Sequence, residues 1–305
     1  MAHSSKRLKR PLMLLRVLTV SLLVTSGWPF VFVMGKYLSE AWAVLSGALR
    51  ATTWRAIWVS CRAVASVAIS VCACAAVWNF WAVLKSIQRG PIRTARNVKQ
   101  LGRMAVCCVA VAAVVTVMLC FYAWLESTDE RKYVVGNAFF ALILMYIPFT
   151  FVTAALVIQG IRVLMMGRRR AVCVVDDPEI IFALLRVSCI VWLAPALGAT
   201  VSEFEKLHMY AQFEWGLIGS LLLIDKALWL PMLVVFFRLC GRLKRDAVIA
   251  TKRNARSMTL LASGCCFHGL LSLWRPPLMV LYAMVVLLAL TLRLILIDCM
   301  AEKSY

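Results

Sequence analysis

"LLLIDKALWLP", residues 221–231, sets an aspartate and a lysine side by side in the middle of an apolar run. The run belongs to a block at 215–237 that is long enough to cross ~30 Å of hydrocarbon as a helix rising ~1.5 Å per residue. Comparable blocks lie at 12–34, 63–84, 104–125, 134–158, 180–199, 258–274 and 278–297. A β-barrel would instead show short alternating segments. The reading is therefore all-α: a polytopic integral membrane helical bundle of seven to eight transmembrane helices, forming a single domain over 1–305.

Composition agrees with this. The chain of 305 residues is 63% hydrophobic and 16% charged, with mean hydropathy +0.86. Soluble domains carry about a quarter charged residues and about half apolar ones. The block at 258–274 is the weakest, and Arg275-Pro276-Pro277 join it to the last one, so these two count either as two spans or as one split element. The N-terminus is basic and then apolar. Its apolar part is long and carries Arg16, Trp28 and Pro29, which predicts a retained first span rather than a cleaved leader. No internal repeat and no low-complexity segment is legible along the chain.

Positive charge sets topology. With a cytoplasmic N-terminus, the inner stretches up to Arg256 hold 21 Lys and Arg and the outer ones 7. The net charge of +20 is thus mostly topological, spread over loops as a bilayer demands. That excludes nucleic acid as the partner and points to membrane lipids, with anionic headgroups meeting the cytoplasmic loops. The run 238–245 suits that contact best. Self-association into a homo-oligomer is left open, as is the identity of the membrane.

The intramembrane charges are the candidate site. Asp225 stands ten residues into its block, ~15 Å deep, and His268 stands ten residues into the next, so both reach one level. Arg186 and Arg293 fall about one turn lower. Neighbours along a helix do not face each other, so Asp225 and Lys226 need partners elsewhere, and Asp225 with Arg186 is the preferred pair. A charge at the bilayer centre costs ~2.5–3.5 kcal/mol even on lenient scales, and such groups commonly mark substrate, ion or proton pathways. A buried ion pair that merely fixes helix register is the structural alternative. Pro148, Pro195 and Pro231 are candidate hinges, because proline removes a helical hydrogen bond and frees a carbonyl.

Ser66, Ser70 and Cys74 form a small-residue stripe at spacing four, as do Cys108, Ala112, Thr116 and Cys120, so these two spans are expected to pack together. The 12 cysteines avoid the outer loops, which argues against a disulfide framework. Cys240 and Cys299, at inner membrane edges, are candidate palmitoylation sites. Asp177, Pro178 and Glu179 make a helix-start signature. No metal site, no cofactor and no catalytic residue is expected: nucleophile-elbow, zinc-protease and phosphate-loop motifs are absent, and the three histidines cannot build a His-rich centre.

"YIPF" at 146–149 and "WLP" at 229–231 resemble fragments of the fifth and sixth helices of seven-helix G-protein-coupled receptors. The motifs that close that family's third and seventh helices are missing, and its N-terminus lies outside. The N-inside plan with a split last helix resembles, in architecture alone, the insect odorant and gustatory receptor channels. The chain is thus read as a non-enzymatic multi-pass membrane protein, a channel or carrier for a small solute or ion. A sensory or signalling receptor coupled through 238–256 is one rival reading, and a non-transporting assembly or scaffold protein is another.

Overall fold

The computed structural model describes residues 31–32, 34–47, 53–89, 94–127, 134–166, 177–212, 216–245 and 251–271, with single positions at 13, 17, 19, 20, 286, 289, 290 and 293. After a helical stretch at 34–45 come α1 (Thr53–Arg89), α2 (Ala95–Ser127), α3 (Val134–Met166), α4 (Pro178–Gln212), α5 (Gly216–Ala227), α6 (Trp229–Arg245) and α7 (Lys252–Leu271). No strand occurs among the described residues. Five segments are long and apolar enough to cross a membrane: Ala56–Ile87, Ala95–Tyr122, Tyr146–Met166, Pro178–Leu207 and Gly219–Lys244. The fold class is therefore all-α and of the multi-pass membrane type. Because α7 opens on Lys252, Arg253 and Arg256, it is not among the five. The first span and the last lie mostly outside the described residues.

The surface fits a lipid solvent. Val64, Trp78, Val106, Val117 and Ile190 each expose more than half of their area, a pattern that would be an aggregation hazard in water. Burial instead runs along one stripe per helix. The chain divides into two compact units: 23–89 with 93–162, and 1–22 with 90–92 and 163–305.

In the unit built on 23–89 and 93–162, α1 packs along α2, as the small-residue stripes predict. The stripes are only part of the reason, since Cys74 and Cys120 are exposed. Val83, Leu84 and Ile87 of α1 and Leu101 and Met104 of α2 are among the residues buried at the loop end. At the far end Trp54 meets Trp124 edge-on at 5.1 Å, and Trp58 meets Phe121 and Tyr122 at 5.7 Å. Arg62 pairs with Glu40 and lies 4.3 Å over the Tyr37 ring. Arg162 of α3 runs beside Gly102 of α2, where a Cβ would stand 3.4 Å from its Nε.

In the other unit α4 packs on α5 and α6, and α7 on α6 and α5. Asp177 caps α4 by accepting the Glu179 N–H at 2.8 Å, with Pro178 at the first helical position, as the sequence predicts. The three prolines behave differently. Pro148 and Pro195 sit inside α3 and α4, which run on uninterrupted, so neither breaks its helix. Only Pro231 accompanies an interruption, at Leu228 between α5 and α6. Proline has no N–H to give the carbonyl four residues back, which here is that of Ala227. The Leu228 and Met232 amides still donate to Ile224 and Leu228, so one span continues through the break.

Candidate functional site: a buried Asp–His–Lys cluster

Asp225 lies on the last turn of α5, nine residues from its start, or ~14 Å along the axis. Its residue exposure is 4%, and that of His268 on α7 is 0%. His268 Nδ1 stands 2.6 Å from Asp225 Oδ1, and Lys226 Nζ donates to Asp225 Oδ2 at 3.1 Å. Both carboxylate oxygens are thus engaged. Trp229 lies one turn after Asp225 on the same face, its ring 5.1 Å from the imidazole. An unpaired buried carboxylate would pay a desolvation cost of several kcal/mol. Hydrogen bonds to a charged partner recover ~1.5–3 kcal/mol each.

The predicted residues are brought together in part. Asp225, Lys226 and His268 form one cluster, in keeping with the matched depth of Asp225 and His268 along their helices. The preferred partner of Asp225 is corrected: His268 takes that place, and Arg186 lies elsewhere. The Arg186 guanidinium is centred 4.2 Å over the Phe237 ring and runs beside Gly241, where a Cβ would stand 3.7 Å from its Nε. Cation–π contacts of this kind contribute ~0.5–2 kcal/mol. Sequence spacing missed the ring because Phe237 is one of many apolar residues on α6. The expectation that Lys226 must look away from Asp225 is also corrected. The four-carbon stem of lysine is long enough to fold back onto its neighbour.

Arg293 is helical and half-buried. Cys240 is 1% exposed, so the thiol expected at a membrane edge is enclosed by protein and not open to acylation. Cys299 lies outside the described residues. Close approach of α6 and α7 beside the cluster depends on Gly264: a Cβ there would stand 2.7 Å from Met232 Sδ.

A family model described as "Protein of unknown function (DUF2975)" matches residues 28–166. No curated protein and no solved structure matches the chain. The matched residues take in α1, α2 and α3 and end at Met166, so the Asp225 cluster lies beyond the region in which this chain is similar to the DUF2975 family.

Proposed function

We propose that the protein is a carrier or channel for a small solute or ion, with Asp225, His268 and Lys226 as its point of binding. The observation that carries this reading is the cluster itself: the side chains of Asp225, His268 and Lys226, 6%, 0% and 19% exposed, gathered from two helices of an apolar bundle. Ionisable groups inside membranes are costly and mark substrate, ion or proton paths by default. The interruption at Leu228, one turn from Asp225, adds the broken helix on which many secondary transporters build their sites. Arg186, on its aromatic support over Phe237, is a further cation on α4 in the same unit.

A non-transporting assembly protein is the second reading, and a specific observation favours it. Asp225 is closed on both oxygens, which is also how a register-fixing ion pair looks. A receptor reading has no observation of its own.

The test is solvent access and flux. A single cysteine at position 225, in a background without the other cysteines, is treated with a membrane-impermeant thiol reagent from either side. Labelling, together with a proton or cation flux in proteoliposomes that Asp225→Asn abolishes, is the expected result. A folded protein that labels from neither side and carries no flux returns the cluster to a purely structural role.

A further inference from the structure

The hairpins α1–α2 and α6–α7 carry the same instructions at the same places. α2 begins from Thr94 and α7 from Thr251. In each, the threonine Oγ1 accepts the N–H of the asparagine three residues on, at 3.2 Å. In each, the threonine carbonyl accepts the next N–H, at 3.1 Å. Those asparagines, Asn97 and Asn254, are both 0% exposed. The two starts read TARN and TKRN.

Along α2 and α7 the correspondence continues with the residue number higher by 157. Gln100 and Ser257, Leu101 and Met258, Met104 and Leu261, Ala105 and Ala262, and Val111 and His268 are buried pairwise. In the helix before, where the number is higher by 156, Val83, Leu84 and Ile87 are buried, and so are Leu239, Cys240 and Leu243. The flanking segments follow suit. LLRV occurs at 14–17 and again at 184–187, with Val17 and Val187 exposed and Thr19 and Cys189 buried. Ala155 and Ile158 are buried ahead of Arg162, and Val286 and Ala289 at equal distances ahead of Arg293.

Any packed helix buries residues at intervals of three and four, so the stripe alone would prove little. The capping threonine with a fully buried asparagine at the third helical position is not generic. Nor is the fixed register of the arginines, nor the identical order of all four blocks. Identity hides the relation: of the 18 positions from Thr94 and Thr251 onward, only five match.

We infer that the chain is a tandem of two related copies, about 12–166 and 178–297, each with four apolar blocks in the sequence, and that the Asp225–His268–Lys226 cluster is a site added to the second copy alone. Four apolar blocks per copy, an even number, give both copies the same orientation. The first copy closes without such charges. α1 holds no charged residue between Arg62 and Lys85, and α2 none between Arg103 and Glu126. His268 corresponds to Val111. Asp225 corresponds to Ile69 or Ser70, according to how the register is carried across Leu228. A fold that packs in one copy with apolar and small residues does not need an aspartate, a lysine and a histidine there to hold its helices. What the site handles rests on the transport reading above; the duplication does not.

Two measurements on the full chain test this. Single cysteines, Arg93→Cys or Ala250→Cys in a cysteine-free background, are labelled with an impermeant thiol reagent in sealed vesicles and in spheroplasts. Labelling of both from the same side is expected, and labelling from opposite sides overturns the tandem. The second measurement gives the second copy the residues of the first, as Asp225→Ile, Lys226→Ser and His268→Val together. The triple variant is expected to melt within a few degrees of the unaltered protein in detergent, while His268→Val alone melts well below it. A triple variant that melts as low as the single one makes the cluster a structural clamp and overturns the added site. Should the bulky isoleucine prevent insertion, the neutral triple Asp225→Asn, Lys226→Met, His268→Gln makes the same comparison at nearly constant volume. Absence of flux in the unaltered protein would remove the transport reading and leave the tandem standing.

Discussion

α1–α2 and the hairpin that α7 makes with the interrupted span α5–α6 start their second helices on the same threonine cap and bury matching positions, yet one is apolar through its centre and the other holds a buried carboxylate, an imidazole and an ammonium. α1 runs 37 residues without a break, whereas its counterpart is interrupted at Leu228. The difference teaches that capping, buried stripe and small-residue contact suffice to fold such a hairpin. The charges and the break are then additions that need a reason of their own.

The largest expected effect lies at the cluster. His268→Val leaves the buried Asp225 Oδ1 without its partner, with only Lys226 still on Oδ2, and is expected to cost ~3 kcal/mol; at the matching position, Val111→Ala removes only two methyl groups and costs ~1–2 kcal/mol. Equilibrium unfolding in mixed micelles reads both, and equal losses would erase the contrast between the hairpins. Next comes Gly264→Leu, which forces a side chain onto Met232 and is expected to cost ~1–3 kcal/mol by overpacking. Met232→Ala should relieve most of it in a double-mutant cycle. Thr94→Ala and Thr251→Ala sharpen the likeness: each loses one cap, ~1 kcal/mol, and the two losses should agree. A cap that matters in one hairpin and not in the other would argue against a common origin. Pro231→Ala tests the break, with a smaller effect on stability. It is expected to supply the missing N–H to the Ala227 carbonyl and slow hydrogen exchange at Leu228, with Pro148→Ala, inside an unbroken helix, as the control. The smallest effect belongs to Arg62→Gln, where a partly exposed ion pair with Glu40 contributes ~1 kcal/mol or less.

Much of this was legible in the chain. Apolar blocks of membrane length give the all-α class, because every backbone group in hydrocarbon must be satisfied within its own segment. The Asp177–Pro178–Glu179 start is read correctly because a cap depends only on residues within one turn. The matched depth of Asp225 and His268 follows from counting residues along two helices, since rise per residue is fixed.

Depth says nothing about azimuth or about which neighbour comes closest, and there the sequence stops. That Asp225 meets His268 rather than Arg186, that Arg186 settles over Phe237, and that Lys226 turns back to its own neighbour are decided by how α4 to α7 pack. Cys240 reads as an edge thiol, but helix packing encloses it. Pro148, Pro195 and Pro231 look alike as hinges, and only the surrounding structure determines which accompanies a break. The repeat itself is the clearest case. Five identities in 18 positions are too few to see, because many apolar residues fill a lipid-facing stripe equally well. The pattern of what is buried, which the fold imposes and substitution preserves, is what makes the two copies visible.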